Sequence, residues 1–338
     1  MESFGIYTLA NDVIYDQLVA LLNSIEANVD PDIPVCIIPF DHCLSRVREE
    51  ISTRPNVSLL DNPASIDRWE AFARAFAAAH PVAAQQSHPR WYGGKLHRKF
   101  AAFDGPFEKF VFFDGDSLAM KPINDVMKRL ETHDFVFDDW EHKKVPWHAA
   151  LDFAVVEDAS EFTLEGIRSK LHCSSFFGSK RGLFNPDEIA ALQTQLTEEG
   201  EAAWVNGQGW WDDAFLFNYM TLKSGRSQFN FAQSANGQER TGNCANSDPF
   251  VVKDNVLYNQ EGLKPIHRIH YMGYSSADFT RLCQGEDVDI CYRDTFLHYR
   301  FLKHLDQRPV RLSRPNFVVR TNRFLKRATR KLTTVAKD

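Results

Sequence analysis

Phe110-Val111-Phe112-Phe113-Asp114-Gly115-Asp116 is an apolar strand that ends in two carboxylates. Residues i and i+2 of an extended segment point to the same side, so Asp114 and Asp116 can grip one cation. Gly115 between them has no side chain and lets the backbone turn, or approach a ligand closely, where the strand ends. A hard oxygen site of this kind suits Mg2+ or Mn2+, ions that keep open positions for phosphate oxygens. The first inference is therefore a nucleotide or phosphate ligand.

Upstream, Phe4-Gly5-Ile6-Tyr7-Thr8-Leu9 predicts a first strand. Ile14, Leu18, Leu21, Leu22 and Ile25 then recur at the spacing of an amphipathic helix, and Val35-Cys36-Ile37-Ile38 forms a second apolar run. This β-α-β opening predicts an α/β chain of the doubly wound kind, with ligands beyond the carboxyl ends of the strands. Val57 to Leu60 predicts a third strand, Trp69 to Ala79 and Lys95 to Phe103 two helices, and Pro122 the start of a helix through Leu130. Past residue 134 the apolar segments shorten (Phe135 to Phe137, Cys173 to Phe177, Ile266 to Ile269) and tryptophans gather, the pattern of a substrate-shaping half. The Gly/Asn/Ser-rich stretch from Ser234 to Ser247 reads as a loop. The expected organisation is one composite domain of halves 1–133 and 134–306, followed by a basic tail at 307–338.

With 338 residues, 43% apolar and 25% charged, the chain can bury a substantial core. No run approaches the roughly 20 apolar residues of a membrane span. The opening lacks a basic and apolar leader pattern, and a cytoplasmic location is expected. Six scattered cysteines without C-x-x-C spacing point to free thiols. The net charge of −6 conceals an asymmetry, since ten Lys or Arg and no acid lie between 307 and 337, leaving about −15 on residues 1–306. Acidic surroundings exclude a nucleic-acid partner.

Several segments, taken in order, resemble the glycogenin-like family-8 glycosyltransferases of the GT-A fold. Thr8-Leu9-Ala10-Asn11-Asp12 with Tyr15 resembles the first strand and turn that contact the base and ribose. Lys95-Leu96-His97 looks like the family's K-L-H segment, and Asp114-Gly115-Asp116 stands at its D-x-D metal motif. Trp211-Asp212-Asp213-Ala214 looks like the helix start beside the reacting sugar, and His270-Tyr271-Met272-Gly273 like the H-x-x-G segment that supplies a third metal ligand. The resemblance covers residues 3 to 276 in patches. It departs at an extra residue between Asn11 and Tyr15, at Ser174-Ser175 in place of N-[SA]-G, and at Ser276 where a phosphate-binding lysine is expected. Arg98 or Arg268 are the candidates to replace that lysine.

The resemblance implies a mixed, mainly parallel sheet flanked by helices. It implies retaining transfer of a hexose from a nucleotide sugar, a UDP-hexose first of all, to a carbohydrate, lipid or protein acceptor. Asp114, Asp116 and His270 would hold Mn2+ (or Mg2+). Thr8, Leu9, Ala10, Asn11, Tyr15, Lys95, Asp114, Gly115, Ser174, Ser175 and Gly273 would bind the donor, and Asp212 or Asp213 would face the anomeric carbon. His267 is the rival ligand, and Asp212 also suits a helix N-terminus. Asp138 and Asp139 suit either sugar hydroxyls or a turn. Trp140, Trp147, Trp210 and Trp211 read as core or acceptor wall. Two other functions fit parts of the pattern. A dehalogenase-type phosphatase would use Asp114 and Asp116 as nucleophile and acid and Asp212-Asp213 for Mg2+, and a degenerate nucleotide-sugar-binding protein would lack turnover.

In the tail, Arg320, Arg323, Lys326, Arg327, Arg330 and Lys331 alternate with Phe317, Phe324, Leu325 and Leu332. Such a segment either stays solvated or lies on an anionic membrane surface, at the inner face of a membrane, each basic residue contributing on the order of 1 kcal/mol. If it docks, a chain ending at Asp306 should lose salt-sensitive sedimentation with anionic vesicles. Equal sedimentation of the full and shortened chains rules the tail out.

Overall fold

A computed structural model describes residues 3–83, 85, 94–234, 242–246 and 248–314. The first half runs β1 (Phe4–Ala10), α1 (Tyr15–Asn28), β2 (Val35–Pro39), α2 (Ser45–Ser52), β3 (Val57–Leu59) and α3 (Pro63–Ala79). β4 (Lys109–Phe113), β5 (Ser117–Ala119), α4 (Asn124–Leu130) and β6 (Phe135–Phe137) follow. The second half contains α5 (Phe153–Ala159), α6 (Leu164–Ser169), β7 (Phe176–Lys180), α7 (Pro186–Thr197), α8 (Asp213–Ser224) and β8 (Gln228–Asn230). A hairpin, β9 (Val251–Lys253) and β10 (Val256–Tyr258), precedes β11 (Arg268–His270), α9 (Ser276–Cys283) and α10 (Arg293–Arg300).

The α/β expectation holds. Seven strands form one sheet in the order β3-β2-β1-β4-β7-β6-β8. Four of its pairings are parallel, and the two made by β7, to β4 and β6, are antiparallel. Alternate residues of the central strands enter opposite cores. Tyr7, Leu9, Cys36, Ile38, Phe110 and Phe112 pack on the side of α3, α7 and α8. Ile6, Ala10, Val35, Ile37, Val111 and Phe113 pack on the side of α1 and α4. The period-2 side-chain alternation of a strand buried on both faces produces this three-layer arrangement. A separate antiparallel pair, β5 with β11, sets His270 opposite Ser117.

Two expectations shift. The helix expected from Lys95 to Phe103 is of the 3-10 type and runs Leu96–Asp104. Its three-residue turn eclipses positions i and i+3, which stacks Phe100 and Phe103 along one side against Trp69 at 5.4 and 6.2 Å. Of the apolar segment Cys173 to Phe177 only Phe176 and Phe177 are strand, while Cys173, Ser174 and Ser175 form a polar approach beside the end of β4. Pro122 stands two residues before α4, whose N-cap is Ile123. All six cysteines are free thiols. No helix among the described residues is long and apolar enough to cross a membrane. The tail beyond residue 314 and residues 235–241 and 247 of the expected loop lie outside the described residues.

Phe217 of α8 is fully buried and meets Phe100 at 5.2 Å and Phe177 at 4.9 Å, so it joins the 3-10 helix, the sheet and the helix that begins at Asp213. Phe217→Ala should lower unfolding free energy by about 3–5 kcal/mol, read from urea denaturation. A loss below about 1 kcal/mol would mean that this aromatic contact does not hold the layer together.

Candidate metal and donor site

Asp114 follows the last residue of β4, and its backbone N–H donates to Ser175 O at 2.9 Å. Gly115 then turns against β1. A Cβ there would come within 2.5 Å of Ile14 Cδ1 and 2.9 Å of Leu9 O. The glycine is thus required by close packing of the motif on the first strand. Asp116 O accepts from Tyr271 N at 3.0 Å, and with the β5–β11 pairing this delivers His270 from a segment far along the chain. Asp114, Asp116 and His270 each offer one ligand atom, all within 4.8 Å of one another. His270 Nε2 stands 3.3 Å from Asp116 Oδ1 and 3.9 Å from Asp114 Oδ2.

The charges explain why such a cluster suits a divalent ion. Burial disfavours an imidazolium at His270, but Asp116 and then Asp114 outweigh it and hold the group up to about 10. The imidazolium therefore fills a place that demands positive charge. Two carboxylates and an imidazole are an acceptable donor set for Mn2+, and the imidazole is a poorer ligand for Mg2+.

Beside this cluster lies a second ionic link. Lys99, with 1% of its surface exposed, sits on the 3-10 helix and reaches Asp114 Oδ1 at 2.9 Å and Asp213 Oδ2 at 2.7 Å. Burial works against its ammonium, yet Asp114 and Asp213 raise its pKa above the ordinary lysine value. Ser174 Oγ donates to the same Asp213 Oδ2 at 2.6 Å. Against burial, Lys99 first and His97 next keep Asp213 below the usual carboxylate range. Asp212 is the N-cap of α8, accepting from Ala214 N at 2.8 Å, and it is less buried than Asp213.

The other expected residues divide into groups. Thr8, Leu9, Ala10 and Asn11 are buried at the carboxyl end of β1, next to Gly115. Among the described residues, the Thr8 hydroxyl has no hydrogen-bond partner. Asn11 donates to Asp41 Oδ2 at 3.0 Å. Tyr15 donates to Glu50 at 2.8 Å and carries the Arg46 guanidinium 3.8 Å above its ring. Ser175 Oγ accepts from Arg268 at 2.7 Å. Gly273 makes its turn in the left-handed region at φ +88°.

Lys95 is the N-cap of the 3-10 helix, and among the described residues no ion pair joins it to Asp114 or Asp116. Lys99, four residues on, takes that place instead. The only signal for it in the sequence is a lysine set directly before Phe100 and close to Phe103, both of which enter the core. His267 is excluded as the third ligand, since its ring nitrogens are taken by Asp138 at 2.7 Å and Asp125 at 3.0 Å. Asp139 accepts from Cys173 N at 2.9 Å and Glu141 N at 3.0 Å, a turn role. Arg98 is held by Glu70 at 2.6 Å and Pro39 O at 3.0 Å, so it and Arg268 both have internal partners. Ser276 is the first residue of α9.

No protein-family model matches the chain, and no curated protein matches it in sequence. Solved structures do align. WbbM, a bifunctional glycosyltransferase, aligns over 91% of this chain at 12% identity and a TM-score of 0.47, and the chain spans 52% of its length. Mouse xyloside xylosyltransferase 1 aligns over 67% of this chain and 84% of its own at 8% identity and a TM-score of 0.46. The galactosyltransferase LgtC, solved with donor and acceptor sugar analogues, aligns over 82% and 94% at 12% identity and a TM-score of 0.43. These are similarities of chain trace, and the functional reading rests on the site.

Asp212 supplies a pH test of its surroundings. Burial and then Asp213 push its carboxyl up to about 7. Its folded pKa lies above the unfolded value of about 3.9, so the folded state keeps the proton longer and stability falls as pH rises from about 4 to 7. Asn can cap a helix as Asp does. Asp212→Asn should therefore gain stability over the parent as pH goes from 5 to 7.5, followed by urea midpoints. Parallel pH curves would show that this carboxyl is not perturbed.

Proposed function

We propose that this chain is a metal-dependent glycosyltransferase of GT-A type that transfers a hexose with retention from a nucleotide sugar, with a UDP-hexose as the leading donor. The observation that carries the reading is the convergence of Asp114, Asp116 and His270 within 4.8 Å, at the carboxyl end of a parallel strand, where α/β sheets bind their ligands. A divalent cation held there supplies charge neutralisation to a departing diphosphate. The chain's own residues do the rest. Lys99 takes Asp114 Oδ1 and leaves Oδ2 toward His270. Thr8 to Asn11 and Gly115 form the floor on which the nucleotide would lie.

Asp213, paired with Lys99 and accepting a hydrogen bond from Ser174, serves as the fixed anion that positions that lysine. Asp212 is the more accessible carboxylate and the candidate to face the anomeric carbon as positive charge grows there, as nucleophile or as electrostatic partner. A phosphatase would need Asp212 and Asp213 as a magnesium pair, and the Lys99–Asp213 contact at 2.7 Å speaks against that use.

Calorimetric titration with UDP and GDP, with and without Mn2+, tests the reading. The protein should bind one nucleotide only when Mn2+ is present, and Asp116→Ala should abolish that dependence through loss of a ligand. Undiminished Mn-dependent binding in the variant sinks the metal assignment, and nucleotide-free cleavage of p-nitrophenyl phosphate would favour the phosphatase. Asp212→Asn should reduce turnover roughly 100-fold, with donor affinity changed much less.

A further inference from the structure

Trp147 is the only tryptophan in the described residues that lies open, with 64% of its surface exposed. Its neighbour Val145 is 58% exposed. Trp210 by contrast is buried, and Lys143 covers the Trp140 ring at 3.9 Å.

The backbone under Trp147 is held from two sides. Asn206 Nδ2 donates to Pro146 O at 3.4 Å and Trp147 O at 3.3 Å. Arg168 donates to the carbonyls of His142 at 3.3 Å and Lys144 at 2.9 Å. Asn206 also opens the turn that leads to the reaction centre, for Gly209 N donates to Asn206 O at 3.2 Å and Asp212 N to Gly209 O at 2.7 Å. One short turn thus holds the backbone of Trp147 at one end and carries Asp212 at the other. Lys144, paired with Glu141 at 2.7 Å, is near enough to Asp212 for that carboxylate to contribute to its raised pKa.

We propose that the Trp147 indole is the platform on which the acceptor saccharide stacks, its pyranose ring lying beside Asp212. The assignment rests on the glycosyltransferase reading above. A pyranose has an apolar C–H face and a polar rim. An aromatic ring with a negative π face matches the former, while Asn206, bonded to the Trp147 carbonyl, and the Glu141–Lys144 pair on the same segment offer polar groups for the latter. The backbone that carries the ring is held by four hydrogen bonds to its carbonyls, so the segment itself needs little further ordering when the sugar docks.

The test applies the full chain, as wild type, Trp147→Ala and Trp147→Phe, to a glycan array, with Mn-dependent UDP titration run on the same samples. The wild type should retain at least one saccharide class. Trp147→Ala should weaken that binding about ten-fold or more, and Trp147→Phe by less than about three-fold, as expected for loss or retention of an aromatic face. UDP affinity should not change in either variant. An unchanged array pattern in Trp147→Ala, or no saccharide bound by the wild type, overturns the proposal. An equal fall in UDP affinity would make Trp147 structural. Loss of binding to phosphatidylcholine vesicles, without saccharide binding, would assign the patch to lipid. Failure of UDP to bind the wild type, with saccharide binding intact, would fault the nucleotide-sugar reading alone.

Discussion

The site depends on one buried cation. Lys99 is shared between Asp114 and Asp213 at 2.9 and 2.7 Å. Removing an ammonium from water costs several kcal/mol, and only well-placed opposite charges offset that. Here the compensation comes from two carboxylates on different elements, so neither strand end nor helix start can move without exposing the charge of the other. The same contact orders the metal cluster. With Oδ1 of Asp114 engaged by Lys99, Oδ2 is left toward His270.

Hydrophobic packing places that cation. The 3-10 helix puts Phe100 and Phe103 into the aromatic core with Trp69 and Phe217. An i, i+3 repeat presents two rings along one side and leaves Lys99 to approach the carboxyl end of β4. Gly115 adds a steric condition, because the D-x-D turn lies so close to Leu9 O that no Cβ fits without movement. The candidate metal ligands are therefore fixed by packing behind them as much as by charge beside them.

A third feature is the balance of carboxylates. Asp114, Asp116, Asp212 and Asp213 crowd one region, with Lys99 and His270 as the nearby cations. Asp213 is held ionised by Lys99 while Asp212 is pushed up to about 7 by burial and by Asp213. Neighbouring residues in sequence thus acquire opposite tendencies from their surroundings, the Asp213 carboxyl held down by Lys99 and the Asp212 carboxyl raised by burial.

By itself, the sequence determined the early strands and helices, because their apolar periods are local properties of the chain. It also singled out the D-x-D pair at the end of an apolar strand, although the two aspartates stand in a turn after β4, closed by Ser117 N donating to Asp114 O at 3.1 Å, rather than on extended backbone. The resemblance pointed to His270, and the β5–β11 pairing brings it to Asp116. Only the tertiary structure decided that Lys99 rather than Lys95 reaches the carboxylates, that His267 is consumed by Asp125 and Asp138, and that Ser174 belongs to Asp213. Each of these depends on which residue a distant element brings within about 3 Å, the length of a hydrogen bond. Local periodicity carries no information about that distance.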